Sequence, residues 1–269
     1  MKTKESYFFA AIISLFFFLN NSYAANVLLL GDEGSETEVQ QALEIAGHNV
    51  IYGGLYWEWN GSDPNPVNFD LILYLGGVVY DDTLQESAAM AINTFVENGG
   101  VLVLTEWIAY EGNGKHPIIC DLMPVYSPDG NYDEDDTWTV QDKGHPLTQN
   151  VPDSWYVTAA GWSNVLAKQG TIVLITGTDD NPLLSYKKVN DGTVLHINHD
   201  MAYSGEPIDA NVLKLIVNAA DYANNGEAAN PTKIVSIPTM NEWGMIILMT
   251  LLGFVGALCN LKGKQGNQR

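Results

Sequence analysis

Three short apolar runs constrain this chain more than any other feature: Asn26–Gly31 (NVLLLG), Asp70–Leu75 (DLILYL) and Val101–Leu104 (VLVL). Each is too short for a buried helix and lacks the polar alternation of a half-exposed strand, so each reads as a strand covered on both faces. Helical spacing fills the gaps between them. Glu36 to Ala46 places Val39, Leu43 and Ala46 on one face and stops at Gly47. Leu84 to Val96 does the same with Ala88, Ala91, Ile92, Phe95 and Val96, and closes on Asn98-Gly99-Gly100. Asn49–Tyr52 adds a short second strand. Trp155–Ala160, Thr171–Thr176, Leu183–Tyr186 and Gly192–Ile197 make the second half richer in strands, with Asn190-Asp191-Gly192 as the turn before the last. A final helix is expected from about Pro207 to Ala223, with proline at its start. Strands alternating with helices predict an α/β three-layer sandwich around a mainly parallel sheet.

The two ends have a different character. Lys2 and Lys4 precede an almost wholly apolar run from Tyr7 to Leu19, followed by a small, polar stretch ending at Ser22-Tyr23-Ala24. That order predicts a secretory signal peptide over residues 1–24, removed by signal peptidase, with Ser22 and Ala24 as the small cleavage-site residues. Residues 225–236 are small, polar and proline-containing, and read as a linker. Beyond them, Ile237-Pro238-Thr239-Met240 is followed by Trp243-Gly244, an apolar stretch over about 245–261, and Lys262, Lys264 and Arg269. Seventeen residues flanked by an interfacial tryptophan and a lysine are enough for a transmembrane helix, with the basic tail in the cytoplasm and the main domain outside. Residues 237–269 resemble the IPTL-CTERM family of bacterial sorting signals, with Met240 where leucine is usual. The resemblance implies an exosortase-like partner that cleaves near the motif and passes the protein from the inner membrane to the cell surface or the medium. A plain membrane anchor is the simpler alternative.

Charge narrows the partners further. The ends hold five of the 12 basic and two of the 32 acidic residues, leaving 30 acids against 7 bases between them. A domain so acidic repels phosphate backbones and anionic headgroups, which excludes nucleic acid and anionic lipid as natural partners. The two cysteines, Cys120 and Cys259, fall in the domain and in the C-terminal apolar stretch, so no disulfide framework holds the fold.

Residues 25–224 resemble the class I glutamine amidotransferase-like domains, a flavodoxin-like sandwich. The resemblance is carried by the Gly31-Asp32 turn, Gly76-Gly77 after the third strand, and the helix leading into Asn98-Gly99-Gly100-Val101-Leu102-Val103. Gly144-His145-Pro146-Leu147-Thr148 and Gly192-Thr193-Val194-Leu195-His196 before the last helix carry it too. It implies a nucleophile on the sharp turn after the fourth strand, where helix-end N–H groups activate a thiolate. Here that turn reads Thr105-Glu106-Trp107, with no cysteine or serine. Cys120 lies too far along to substitute, and proline separates it from His116, so a buried small hydrophobe is the expected role. No Gly-x-Ser-x-Gly occurs. The domain is therefore expected to bind or to support rather than to catalyse.

Ligands of open parallel sheets bind at the carboxyl ends of the strands. Asp32, Gly76, Gly77, Glu106, Trp107, His199 and Asp200 are accordingly the candidate cleft, with His196 and Asn198 beside them. The alternative to a binding domain is an extracytoplasmic hydrolase using Glu106, His199 and Asp200 with carboxylate, histidine or metal chemistry. Asp129, Asn131, Asp133 and Asp135 imitate the first half of a calcium loop, but Glu134 replaces its glycine and Val140 its closing acid, so a solvated loop competes with a calcium site. Tyr52, Tyr56, Trp57 and Trp59 form either a binding surface or packing over the sheet edge.

Overall fold

The computed structural model describes residues 24–32, 34, 36–76, 82–111, 115–128, 132–133, 135–158, 161–201 and 207–225. The expected signal peptide (apart from Ala24), most of the linker, the sorting motif, the helix over about 245–261 and Cys259 lie outside the described residues, as do Gly77, Asp129 and Asn131. Among the described residues no helix is long and apolar enough to cross a membrane.

The order along the chain is β1 (Asn26–Gly31), α1 (Glu36–Ile45), β2 (Asn49–Leu55), β3 (Leu71–Tyr74), α2 (Glu86–Glu97), β4 (Val101–Thr105), α3 (Glu106–Glu111) and α4 (Pro117–Leu122). It continues through β5 (Val125–Tyr126), β6 (Tyr132–Asp133), β7 (Asp136–Val140), β8 (Ser154–Val157), β9 (Trp162–Ser163) and β10 (Leu166–Ala167). The last elements are β11 (Ile172–Thr176), β12 (Pro182–Val189), β13 (Gly192–Ile197) and α5 (Ala210–Asn224). One nine-stranded sheet runs β2-β1-β3-β4-β13-β12-β11-β7-β8. From β2 to β13 every neighbour is parallel. From β13 outward to β8 every neighbour is antiparallel. The connections explain the division. Helical crossovers return the chain in the same direction, whereas the two-residue turn at Asn190-Asp191, with Asn190 at φ 51°, reverses it.

The apolar runs behave as double-sided strands: β3, β4 and β13 are buried along their whole length. On one face Leu29, Leu73, Val103 and Leu195 pack with Val39 and Leu43 of α1 and Val212, Leu215 and Ile216 of α5. On the other, Leu28, Ile72, Leu102 and Val194 pack with Ala88, Ile92 and Phe95 of α2 and Ile119 and Leu122 of α4. Three layers result, with a core on each side of the sheet. Cys120 is a buried member of the second core. The approach of β13 to α2 is close enough to require glycine: a Cβ on Gly192 would stand 2.1 Å from the Val96 carbonyl oxygen.

One boundary needs correction, and one alternative is decided. The last helix starts at Ala210 rather than near Pro207, because the Asp209 carboxylate accepts the N–H groups of Asn211 and Val212 and caps it. The aromatic group after β2 is mostly internal: Tyr56 and Trp59 are buried, with the Tyr56 hydroxyl donating to the Asp82 carbonyl and the Trp59 indole to that of Pro64. Only Tyr52 among those four is an exposed large side chain.

Candidate functional site

Parallel pairing brings the ends of β1, β3, β4 and β13 to one edge of the sheet. β4 passes without a loop into α3, so Thr105 ends the strand and Glu106 begins the helix. This junction is the strand-to-helix turn on which a nucleophile was expected. Thr105 Oγ1 accepts the Gly76 N–H at 2.9 Å and returns a bond to the Gly76 carbonyl at 3.2 Å, which fastens the end of β3 to the end of β4. Glu106 N–H reaches the His199 carbonyl at 3.5 Å. The Trp107 indole N–H donates to Asp200 Oδ2 at 2.5 Å. Gly76, Glu106, Trp107, His199 and Asp200 are thus brought together. Asp32 is buried at the end of β1, two strands from β4, with its backbone N–H on Glu36 Oε1.

The Glu106 carboxylate is fully buried and accepts a close hydrogen bond from the Ser163 hydroxyl on Oε1. Ser163 is itself held by a small polar network. Asn198 Oδ1 accepts the Ser163 N–H at 3.1 Å, while Asn198 Nδ2 donates to the carbonyls of Ser163 at 2.8 Å and Pro182 at 3.1 Å. Asn181 adds a bond to the same Ser163 carbonyl and receives the Val165 N–H. Buried amides that satisfy backbone groups in this way rigidify their surroundings. Asn198 stands out in the sequence as part of a polar strand end. Ser163 and Asn181 come from a segment with no periodic pattern, so nothing in the chain marked them.

Burial dominates the electrostatics. It pushes the His199 pKa down to about 4, against the raising effects of a backbone hydrogen bond at Asp200 and the Asp209 carboxylate. It pushes His196 down to about 3. Both rings are neutral at pH 7. His199 lies edge-on to the buried Trp138, ring centroids 6.1 Å apart. The His116 ring packs against Tyr56 and Tyr74, with centroids 6.2 and 6.1 Å away. A cavity of about 380 Å³ opens between the N-terminal ends of α2 and α4, lined by Leu84, Glu86, Ala89, Lys115, His116 and Ile118 among others. Glu106, Trp107, His199 and Asp200 are not part of its wall.

In the acidic segment, Asp133 belongs to β6, which pairs with β9, and Asp135 accepts the Tyr156 hydroxyl at 3.1 Å. That bond and the Asp135 charge raise the Tyr156 pKa. The buried Asp136 accepts the Thr178 N–H and hydroxyl. Among the described residues no three or more His, Cys, Asp or Glu side chains gather to hold a metal ion.

No protein-family model matches the chain, and no curated protein does. Solved structures do resemble it. The cytoplasmic protein STM3548 from Salmonella typhimurium superposes with a TM-score of 0.57 at 14% identity, covering 75% of this chain and 97% of that one. A ThuA-like protein from Bacteroides uniformis gives 0.57 at 16% identity, over 75% and 91%. A ThuA-like protein from Parabacteroides merdae gives 0.57 at 14%, over 76% and 91%. At such identities the likeness concerns the fold alone: a mixed α/β architecture around one large sheet, as in those ThuA-like proteins.

Proposed function

We propose that this chain is an exported protein, anchored in or released from the cell envelope, whose amidotransferase-like domain binds or supports a partner rather than catalysing a reaction. The observation that carries the second half is the occupant of the strand-to-helix turn. Glu106 stands there in place of a thiol or hydroxyl, and its carboxylate is buried on the Ser163 hydroxyl. A general base must reach the proton that it abstracts. Glu106 Oε1 and Asp200 Oδ2 are instead engaged with Ser163 and Trp107, which argues against the hydrolase alternative. The test is an assay of the purified domain with glutamine and with activated ester probes. No turnover above buffer is expected, and turnover that disappears in Glu106→Gln would overturn the reading.

The first half rests on the sequence of the ends: the 1–24 leader pattern, and Ile237-Pro238-Thr239-Met240 with Trp243-Gly244, an apolar stretch and a basic tail. In this reading signal peptidase and an exosortase-like enzyme process the chain. Mass spectrometry of the mature C-terminus tests it directly. Cleavage near Trp243 is the expected result, and an intact C-terminal apolar stretch in a strain with an active sorting enzyme would leave only the plain anchor.

A further inference from the structure

β13 carries a histidine among aliphatic residues. His196 is fully buried, and its register partners are Leu104 on β4 and Ser185 on β12. It sits two residues from Val194 and so on the same face of the sheet, that of the second core. Neither of its ring nitrogens has a hydrogen-bond partner, and neither has the hydroxyl of Ser185, which is itself fully buried. Residues directly opposed across an antiparallel pair have Cβ atoms about 5 Å apart and point to the same side. Imidazole and hydroxyl therefore share one spot in the interior.

A neutral imidazole presents one donor and one acceptor, and a hydroxyl offers both. Protein interiors pair such groups or enclose water on them, because an unbonded polar atom in apolar surroundings is costly. We propose that His196 and Ser185 form an internal water-binding site, in which one water bridges Ser185 Oγ and the nearer ring nitrogen and so selects the ring tautomer. Water matches the chemistry because it donates and accepts at once. Leu104 and Val194 beside it are apolar and offer a charged guest no counter-ion of their own. His196 and its register partner Leu104 lie two residues before Asn198 and Glu106, so the site adjoins the Glu106–Ser163 network, but it does not rest on the binding role proposed above. It puts a hydrated point near the C-terminal end of β13.

A high-resolution crystal structure of the domain is expected to show water density within hydrogen-bond reach of both Ser185 Oγ and a His196 nitrogen. Ser185→Ala removes one partner of that water and is expected to lower Tm by about 3 °C, the size of one lost hydrogen bond in a domain this large. Deleting a dry, unbonded hydroxyl has the opposite sign. An unchanged or raised Tm in Ser185→Ala, or a site without density, overturns the proposal.

Discussion

Acidification should weaken this domain through two histidines that it keeps neutral. His196 and His199 have folded pKa values of about 3 and about 4, both below the ordinary value of 6.5, because burial penalises the imidazolium. The unfolded chain therefore takes up protons first. Stability is fully present above about pH 6.5, and it falls as the pH drops toward the folded values. Integrated between pH 7 and about pH 4.5, each histidine removes on the order of 2–3 kcal/mol, or roughly 5 kcal/mol for the two. Set against a total of about 5–15 kcal/mol for a domain, that loss is large. Urea unfolding followed by tryptophan fluorescence measures it at the two pH values. Carboxylates titrate over part of the same range, so the decisive comparison is with His196→Leu, which retains their contribution and abolishes one histidine's. The variant should lose on the order of 2–3 kcal/mol less than the parent across that interval. Equal losses in the two proteins would refute the argument that desolvation of His196 carries the effect.

Other perturbations have equally definite signs. Ser163→Ala removes the hydroxyl that donates to the buried Glu106 carboxylate and should cost about 1.5–3 kcal/mol in urea unfolding, as bonds to charged groups do. Gly192→Ala drives a methyl group into the Val96 and Gly100 carbonyls and should destabilise by about 3 kcal/mol, seen as a matching fall in the urea midpoint. Millimolar calcium should leave Tm unchanged if the acidic segment around Asp133 and Asp135 is a solvated loop; a rise would support the calcium reading.

The parallel half of the sheet is legible in the chain because each of its central strands is buried on both faces and so appears as an unbroken apolar run. In the antiparallel wing β8, β11 and β12 are legible as well, but β7 is not. Trp138 and Val140 alternate with exposed Thr137 and Thr139 in β7, but five residues emerging from an acidic stretch carry too little periodicity to stand out. The paired segments β5 with β10 and β6 with β9 are two residues long and exist only through their tertiary partners. The same division runs through the site. Glu106, Trp107, His199 and Asp200 follow from the rule that parallel strands end at one edge. Ser163 and Asn181 do not, since their places are set by hydrogen bonds to Glu106, Asn198 and Val165 rather than by any local pattern.

β13 joins the two halves of the sheet, between β4 and β12, although it is the last strand in the chain. This placement has a temporal consequence. A nascent chain can pair β1 through β4 early, and it can form the β11–β12 hairpin alone, but the two parts stay apart until residues 192–197 arrive. Until then β4 and β12 each present an open edge able to recruit the wrong strand. Completion depends on a contact spanning some ninety residues, so closure of this seam should limit the refolding rate. A truncation that removes β13 should yield an aggregating chain rather than a smaller domain.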